Sequence, residues 1–392
     1  MMNYILFDGS NRNALLPFTY TRPVADIRVG ILTIREKWEK YLGFTTTTVT
    51  EDYLQEKWPV VELEQNTFIC GSVLPNEQLV RIIKQLNLGE ALFGKEDNLI
   101  AFCLKENEEV NIDAFKKIKF EDSYMELTAT WDIFSLNNEA IELDFDLLTK
   151  DKESQPIATT NTVLGHGKVF LEEGATVECA VLNTAKGSIY IGENAEVMEG
   201  SLVKGPFAIC NNGVLKMGAK IYEGTTVGPY SKVGGEVSNS VIFGYSNKGH
   251  DGFLGNSVLG EWCNMGADSN TSNLKNNYAE VRLWNYETNG FAKTGLQFCG
   301  LMMGDHSKCG INTMFNTGTV VGVNANIFGG GFPRNFIPSF SWGGSSGMTT
   351  YKTNKAFEVC EMVMKRRSIA FTDIDKAILE HIFVISAEWR KG

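Results

Sequence analysis

An aliphatic side chain returns at every sixth residue through the middle of the chain. The positions are Ile191, Val197, Val203, Ile209, Leu215, Ile221, Val227 and Val233. A period of six matches neither the 3.6-residue turn of a helix nor the two-residue alternation of a strand. It is typical of a solenoid in which three short strands make one turn and each strand sends one aliphatic side chain inward. The pattern therefore predicts a parallel β-helix.

The six-residue period extends on both sides of this run, with one long interruption. The further inward positions are predicted at Leu171, Val177, Phe253, Leu259, Met265, Met303, Cys309, Phe315, Val321 and Ile327. Residues 267 to about 300 are polar and break the period. A long loop that leaves a regular coil is more often functional than structural, so we expect a functional excursion here.

Glycine marks the limits of the solenoid, because 32 of the 39 glycines lie between residues 157 and 347. We therefore predict three regions, at 1–155, 156–347 and 348–392. The last region is predicted to form two helices. Asn354 is expected to cap the first, and Thr372 begins the second with capping-box spacing to Asp375. The second helix carries an apolar stripe of Ile374, Ile378, Ile382 and Ile385.

The first region alternates strand and helix patterns, which predicts an α/β layer. Strands are predicted at 4–7, 45–50, 67–70, 91–93 and 99–104. Helices are predicted with Ile27, Ile31, Ile34 and Trp38 on one face, after a cap at Asn76, and near 131–136.

The loop after the first strand contains Asp8 and Gly9, and such a loop in an α/β layer often binds phosphate. Arg12 and Arg22 are candidates for nucleotide contacts beside it. The alternative is that these arginines are solvated or pair with acidic side chains.

The formal charge of −11 argues against a general affinity for nucleic acid or an anionic membrane. We find neither an N-terminal signal pattern nor an apolar run long enough to span a bilayer. The eight cysteines are scattered without a CxxC pair, which favours buried thiols in a reducing cytoplasm over a disulfide framework or a zinc site. We therefore expect a cytoplasmic protein.

Histidine is scarce, and only His166, His250, His306 and His381 occur. Their separation argues against a zinc site that needs three imidazoles. His250 lies among glycines in the run 247–255, where an open imidazole can accept a proton near neutral pH. The alternative is a turn histidine bonded to local carbonyl groups.

The hexads and the run Lys248-Gly249-His250-Asp251-Gly252-Phe253-Leu254-Gly255 resemble the left-handed β-helix acyltransferases. They are most similar to the acetyltransferase half of the bifunctional N-acetylglucosamine-1-phosphate uridyltransferase / glucosamine-1-phosphate acetyltransferase family. Asn264, fourteen residues after His250, and Asn273, in the polar loop, complete the motif. The resemblance implies that His250 is the general base for a sugar amine and that Asn273 contacts the sugar. It implies that Asn264 either orients the substrate or stabilises the developing charge.

Two departures from the family pattern bear on the acceptor. Phe253 stands at the family's tyrosine position, and the family's sugar-phosphate lysine falls near Ser238 and Asn239. Lys248, Lys275 and Arg282 are candidates to supply the missing positive charge. A changed acceptor sugar is therefore compatible with the sequence.

The resemblance further implies that acetyl-CoA binds along the later coils, between subunits of a homotrimer. Asn312, Gly329 and Gly330 fall in the matching coils and are the candidate coenzyme contacts. The glycines permit close approach of the backbone, and an ordinary tight corner is the alternative.

The first region resembles the nucleotidyltransferase domain that precedes the β-helix in this family. Residues 4–9 match its first strand and loop, Arg12 stands for its loop arginine, and 16–38 resembles an archaeal/Bacteroidetes-type variant. Cys70-Gly71-Ser72 stands where the family has a magnesium-binding aspartate, and serine is a weaker ligand for a hard cation. We expect Mg²⁺ only if this domain is active.

These observations predict an enzyme that transfers acetyl from acetyl-CoA to an amino-sugar phosphate, with a sugar phosphate and a nucleotide sugar as small-molecule partners. Two alternatives stay open. One is a nucleotide-sugar-binding or scaffold protein with a degenerate front domain, and the other is an enzyme active only in uridylyl transfer.

Overall fold

The computed structural model describes residues 3–390, and the chain forms two compact units. The first unit comprises Met1–Leu15, Thr21–Ile27 and Leu32–Ala129. The second comprises Leu16–Tyr20, Arg28–Ile31 and Thr130–Gly392. The region boundaries predicted at 155 and 347 remain predictions.

The first unit is built on a six-stranded mixed sheet. In spatial order its strands are Thr47–Val49, Asn3–Phe7, Gln65–Cys70, Leu99–Lys105, Glu90–Phe93 and Lys116–Lys119. Leu99–Lys105 runs antiparallel to both of its neighbours, and the other pairs are parallel. The helices are α1 (Ile34–Leu42), α2 (Asp52–Gln55) and α3 (Glu77–Ile83), with 3₁₀ turns at Ser10–Leu15, Val24–Asp26 and Ile112–Ala114. The predicted alternation of strands and helices is confirmed.

The predicted helix containing Ile27 and Ile31 begins later than expected, and this part of the prediction is wrong. Helix α1 starts only at Ile34, because Thr33 and Glu36 close a capping box there. Ile27 and Ile31 are nevertheless buried. The cap predicted at Asn76 is confirmed, since its side chain accepts a hydrogen bond from the Leu79 amide at 2.9 Å.

The second unit is a parallel β-solenoid with three faces and three strands per coil. Face 1 contains Thr162–Leu164, Val181–Asn183, Leu202–Lys204, Lys220–Ile221, Glu236–Ser238 and Phe253–Gly255. Face 2 contains Val169–Leu171, Ile189–Ile191, Phe207–Ile209, Thr225–Val227, Val241–Ile242, Val258–Leu259, Leu301–Met303, Thr319–Val321 and Phe336–Ile337. Face 3 contains Thr176–Val177, Glu196–Val197, Val214–Leu215, Lys232–Val233, Asn247–Lys248, Asn264–Met265, Lys308–Cys309, Asn326–Ile327, Ser341–Gly344 and Gly347–Thr350. The fold class predicted from the six-residue period is confirmed.

The interior of the solenoid is one apolar cluster that includes all eight residues of the central run, from Ile191 to Val233. One predicted inward position is wrong. Leu254 rather than Phe253 enters the core, because Leu254 pairs in register with Val237 of the preceding coil. The coil that ends there is short, so the six-residue count shifts by one position.

The polar interruption leaves the solenoid as predicted. It contains a hairpin of Arg282–Asn285 with Gly290–Lys293, and the coil resumes at Leu301–Met303. Asn270–Thr271, before the hairpin, still belongs to the solenoid and pairs with Met314–Phe315 of the next coil. Helices α4 (Asp132–Ser135) and α5 (Asn137–Thr149) precede the coils, and α5 packs on the outer side of face 2 through Phe145.

The two predicted tail helices are present as α6 (Thr353–Lys365) and α7 (Asp373–Ile385), followed by a 3₁₀ turn at Ala387–Trp389. The Thr372–Asp375 capping box is confirmed. The cap predicted at Asn354 is wrong, since α6 starts one residue earlier, after Lys352, without a side-chain cap. None of the helices within residues 3–390 has the length and apolarity needed to cross a membrane.

Candidate functional site

Face 3 carries a column of polar side chains on neighbouring strands. The column consists of Lys232, Asn247, Asn264 and Lys308, which pair in register one after another. Neighbouring strands lie about 4.8 Å apart, so residues distant in the sequence stand side by side. The solenoid thus assembles one polar surface from several coils.

The column borders a pocket of about 410 Å³ that brings His250 and Asn264 together. Lys216, Lys232 and Asn247 also line the pocket, together with Gly249, Met265, Gly266, Ala267 and Ile311. His250 is exposed, and its imidazole makes no hydrogen bond to the residues that the structure describes. The imidazole is therefore accessible to a ligand in the pocket.

The corner that carries His250 passes tightly over the following coil. Gly252 has a φ of +113°, and a Cβ there would lie 2.2 Å from the Ser269 carbonyl oxygen. Any larger residue would displace the corner, because the contact is with backbone. Gly252 therefore fixes where the His250 corner lies.

Lys248, a predicted phosphate contact, points into the solenoid. It is 2% exposed and its Nζ donates a hydrogen bond to the His250 carbonyl oxygen at 2.5 Å. Burial lowers the pKa of Lys248 to about 8, and nearby acidic groups oppose that effect. Lys248 holds the backbone of His250 rather than displaying its charge in the pocket.

The positive charge of the pocket comes instead from Lys216 and Lys232, which the sequence analysis missed. Lys232 pairs with Asn247 on the next strand. A search along the sequence for a lysine about a dozen residues before His250 cannot find either one. These lysines can be found only by counting back along the sequence by whole coils, because side chains one or two coils earlier lie beside His250.

The remaining predicted acceptor residues lie elsewhere in the loop. Asn273 donates from Nδ2 to Asn256 Oδ1 at 2.8 Å, and Lys275 donates from Nζ to the Glu280 carbonyl at 2.8 Å. Arg282 is exposed on the hairpin. None of these three residues lines the His250 pocket, so their proposed contacts with the acceptor stay predictions.

The predicted coenzyme residues lie on the coils that follow His250. The Asn312 amide donates to the Ala267 carbonyl at 2.8 Å, and neighbouring Ile311 is 70% exposed and lines the pocket. Gly329 and Gly330 follow the strand Asn326–Ile327, and a Cβ at either would meet no atom within 4 Å. We call Asn312, Gly329, Gly330 and the exposed Ile311 the open strip, and their contact with acetyl-CoA stays a prediction.

A second cavity, of about 600 Å³, continues from the pocket and is lined by helix α6. It shares Lys232, Asn247 and Asn264 with the His250 pocket. Its other lining residues are Tyr245, Trp262, Cys263, Lys308, Val359, Val363, Arg366 and Arg367. We call this cavity the α6 groove.

In the first unit, Asp8 and Arg12 contact each other. Arg12 Nη1 lies 2.5 Å from Asp8 Oδ2, and the same carboxylate accepts hydrogen bonds from Thr50 Oγ1 and the Val24 amide. Arg12 also bonds to the Arg22 carbonyl, at 3.4 Å. A Cβ at Gly9 would lie 2.6 Å from Cys70 Sγ, so glycine is required for packing here. Nucleotide contacts by these residues stay a prediction.

Ser72, at the position of the family's magnesium-binding aspartate, contacts a carboxylate from another segment. Its Oγ lies 3.1 Å from Glu126 Oε1, which also accepts from Asn11 Nδ2 at 2.8 Å. Among residues 3–390 no three His, Cys, Asp or Glu side chains converge as a metal site. Asp8 is paired with Arg12, and Glu126 accepts from Ser72 and Asn11, so both carboxylates near this loop already have protein partners.

Comparisons with known proteins agree with the motifs. Residues 4–153 match the family described as sugar nucleotidyl transferase. A bifunctional sugar-1-phosphate nucleotidylyltransferase/acetyltransferase of Sulfurisphaera tokodaii is 25% identical over 217 residues, which cover 55% of this chain and 47% of that protein. The bifunctional protein GlmU of Methanocaldococcus jannaschii is 25% identical over 282 residues, which cover 70% and 60% of the two chains.

The chain spans about half to two thirds of the length of these curated relatives. Among solved structures, the polySia-specific acetyltransferase NeuO aligns with a TM-score of 0.25 and 12% identity, over 49% of this chain and 87% of that one. The resemblance inferred from the sequence is confirmed: residues 4–153 match the sugar nucleotidyl transferase family, and the chain is similar to bifunctional sugar-1-phosphate nucleotidylyltransferase/acetyltransferases.

Proposed function

We propose that the protein transfers an acetyl group from acetyl-CoA to the amine of a phosphorylated amino sugar, within nucleotide-sugar biosynthesis. The single observation that carries this proposal is the pocket in which His250 and Asn264 lie with two lysines and without an acidic side chain. A general base, an amide and an anion site are the groups that such an acceptor requires.

The residues of the pocket would divide the work by their chemistry. His250 accepts the proton of the amine as it attacks, because a neutral imidazole has a ring nitrogen that can accept a proton. Asn264, exposed beside it, orients the sugar through its side-chain amide. Lys216 and Lys232 hold the phosphate as point charges. No side chain is assigned as a covalent nucleophile.

Acetyl-CoA, when bound, supplies the acetyl group as a thioester. Asn312, Gly329 and Gly330 would hold it, because they form the open strip on the coils after His250. Exposed apolar side chains continue that strip at Ile311 and Phe328. We extend the proposal to a homotrimer in which the open strip of one subunit faces the neighbouring subunit.

The test measures release of free thiol from acetyl-CoA in the presence of glucosamine-1-phosphate. Lys232→Ala should raise KM for the sugar phosphate on the order of tenfold, since a charge-assisted contact is lost. Lys220→Ala is the matched control, because Lys220 is exposed on face 1 and does not line the pocket.

Absence of thiol release from phosphorylated amino sugars, together with absence of CoA binding by calorimetry, would contradict the proposal. That result would favour the scaffold alternative, in which the solenoid only assembles subunits. An equal KM for glucosamine with and without its phosphate would remove the role given to the two lysines.

A further inference from the structure

The α6 groove extends the acceptor pocket away from the coenzyme strip. The two cavities, of about 410 and 600 Å³, join at the polar column of face 3. His250 and Ile311 lie at one end, and Arg366 and Arg367 of the tail lie at the other. A sugar monophosphate held by Lys216 and Lys232 would leave the α6 end empty.

The charged side chains that line the α6 groove are all positive. Lys232, Lys308, Arg366 and Arg367 line it, and the lining contains no Asp or Glu. Lys308 Nζ donates to the His306 carbonyl at 2.7 Å, as Lys248 does to the His250 carbonyl, so Lys232, Arg366 and Arg367 supply most of the charge displayed in the groove. The whole chain carries a net charge of −11, so this positive patch runs against its composition. Cations gathered in a concave site attract an anionic ligand.

The cationic side chains also act on one another. Burial lowers the pKa of Lys232 first, and neighbouring cations lower it further. These neighbours are Arg367, Lys216 and Arg366, in decreasing order of effect, and Glu196 opposes them. A bound polyanion would relieve this repulsion, which is a physical reason for the cluster to be ligand-directed.

Contacts with the solenoid fix the arginines in place. Arg367 Nη2 lies 3.4 Å from Asn247 Oδ1 of the polar column. Helix α6 is anchored by the buried side chains of Ala356, Cys360 and Met364, and Cys360 Sγ contacts Asn324 Oδ1 at 3.4 Å. Arg366 and Arg367 therefore follow directly on the end of a packed helix, in the turn after Lys365.

Two stacked aromatic side chains also line the α6 groove. The rings of Tyr245 and Trp262 stack with centroids 4.3 Å apart and planes 9° apart. Tyr230 stacks on the other side of Tyr245 at 5.2 Å. Such a rigid apolar surface beside cations suits an organic anion better than free inorganic phosphate.

We propose that the α6 groove binds the distal phosphate of a diphosphate, so that the preferred acceptor is an amino sugar linked to a nucleoside diphosphate. This inference rests on the acetyl transfer proposed above and specifies its substrate class. Lys216 and Lys232 bind the phosphate nearer the sugar, and Arg366 and Arg367 bind the farther one. The amine nitrogen forms a bond to the acetyl carbon while the thioester C–S bond breaks. The amine proton passes through His250 to the departing thiolate.

The test compares kcat/KM for UDP-glucosamine and glucosamine-1-phosphate in the full-length protein. We expect a preference of at least about tenfold for the diphosphate acceptor. The double variant Arg366→Gln/Arg367→Gln should lose that preference, while its activity on the monophosphate changes less than about threefold. Lys365→Gln is the control, since Lys365 is exposed on the same helix and does not line the groove.

A preference for the monophosphate would overturn the inference. So would a double variant whose KM rises for acetyl-CoA rather than for the acceptor, because the groove would then hold the coenzyme's phosphates. If neither acceptor releases thiol, the proposed function fails separately, and calorimetry with UDP-glucosamine decides. If the double variant binds UDP-glucosamine about tenfold more weakly than wild type, the α6 groove is still a diphosphate-binding site. If the two bind equally, the groove does not bind the diphosphate.

Discussion

At the scale of single residues, Lys248 occupies a position that the solenoid otherwise gives to aliphatic side chains. Its register partner on the preceding coil is Val233, a member of the apolar core. A buried ammonium group with one carbonyl partner costs stability. The lowering of its pKa to about 8 corresponds to about 3 kcal/mol against the charged form at pH 7. Such a cost is typical of functional positions.

Lys248→Met should therefore stabilise the second unit at pH 7, by at most about 3 kcal/mol, while kcat falls on the order of tenfold. KM should change little, because the lysine holds the His250 backbone and does not touch the substrate. Thermal unfolding and steady-state kinetics check the two effects. A variant less stable than wild type at pH 7 would contradict the account.

The stability that Lys248→Met adds to the second unit should also depend on pH. The folded pKa is lower than the unfolded value of about 10.5, so between about pH 8 and 10.5 the unfolded wild type binds more protons than the folded form. Wild-type stability then rises with pH relative to the variant, and the difference narrows. Unfolding at pH 7 and pH 10 measures this, with exposed Lys220→Met as the control.

A second prediction at this scale concerns Arg12 in the first unit. The side chains of Arg12 and Asp8 are each 8% exposed, so Arg12→Ala leaves a carboxylate nearly buried beside its remaining donors. We expect a loss of about 3 kcal/mol in the stability of the first unit, measured by denaturant unfolding. Arg81→Ala, an exposed change in α3, is the control. Lost nucleotide binding with unchanged stability would instead make Arg12 a ligand contact.

At the scale of elements, α7 has a side-chain cap at its N-terminus and α6 has none. Thr372 accepts from the Asp375 amide at 3.2 Å, and Asp375 bonds back to the Thr372 amide at 2.9 Å. Asn354 suggests a cap in the sequence but lies inside α6. The difference is a matter of where the helix begins, which pattern alone leaves uncertain by a residue or two.

Thr372→Ala should destabilise α7 by about 1 kcal/mol, because the Asp375 amide loses the Thr372 hydroxyl as its acceptor. Amide exchange within Asp373–Ile385 should then accelerate about fivefold. Asn354→Ala should leave exchange in α6 unchanged, since no capping bond is removed. Equal effects of both changes on their own helices would show that the capping box does not stabilise α7.

The sequence predicted the inward positions of the solenoid correctly where every strand and corner takes six residues. The prediction failed where the coil length changes. The run from Ile191 to Val233 keeps one phase because each strand and corner there takes six residues. After Val233 the coil shortens, so Phe253 was placed inward where Leu254 stands. The same shortening sets Lys232 beside Asn247, fifteen residues later. The lysines that line the pocket could therefore not be predicted until the coil lengths were known.

At the scale of the whole molecule, the family resemblance and the pocket account for different parts of the prediction. The motif found His250 and Asn264, and the structure brings both to one pocket. It could not find Arg366 and Arg367, because a tail helix reaches the groove by tertiary packing and carries no motif. Asn273 was predicted from the family motif, and Lys275 and Arg282 were predicted as replacements for a missing lysine. None of the three lines the pocket, so their contacts with the acceptor stay predictions.

The proposed homotrimer gives a prediction at this scale. Sedimentation equilibrium should yield three times the 43.5 kDa mass of the chain. Ile311→Asp, which places a charge at a 70% exposed apolar position beside the pocket, should weaken assembly or coenzyme binding. A wild-type monomer with full acetyl transfer would contradict shared sites between subunits.

The central claim is that the His250 pocket is the working acetyl-transfer site, and one comparison tests it most directly. Acetyl-CoA-dependent thiol release with a phosphorylated amino sugar is measured for wild type, His250→Ala and His166→Ala, the last being an exposed histidine on the first coil. We predict that His250→Ala loses on the order of 10²- to 10⁴-fold in kcat, while His166→Ala keeps wild-type activity. Full activity in folded His250→Ala would contradict the account.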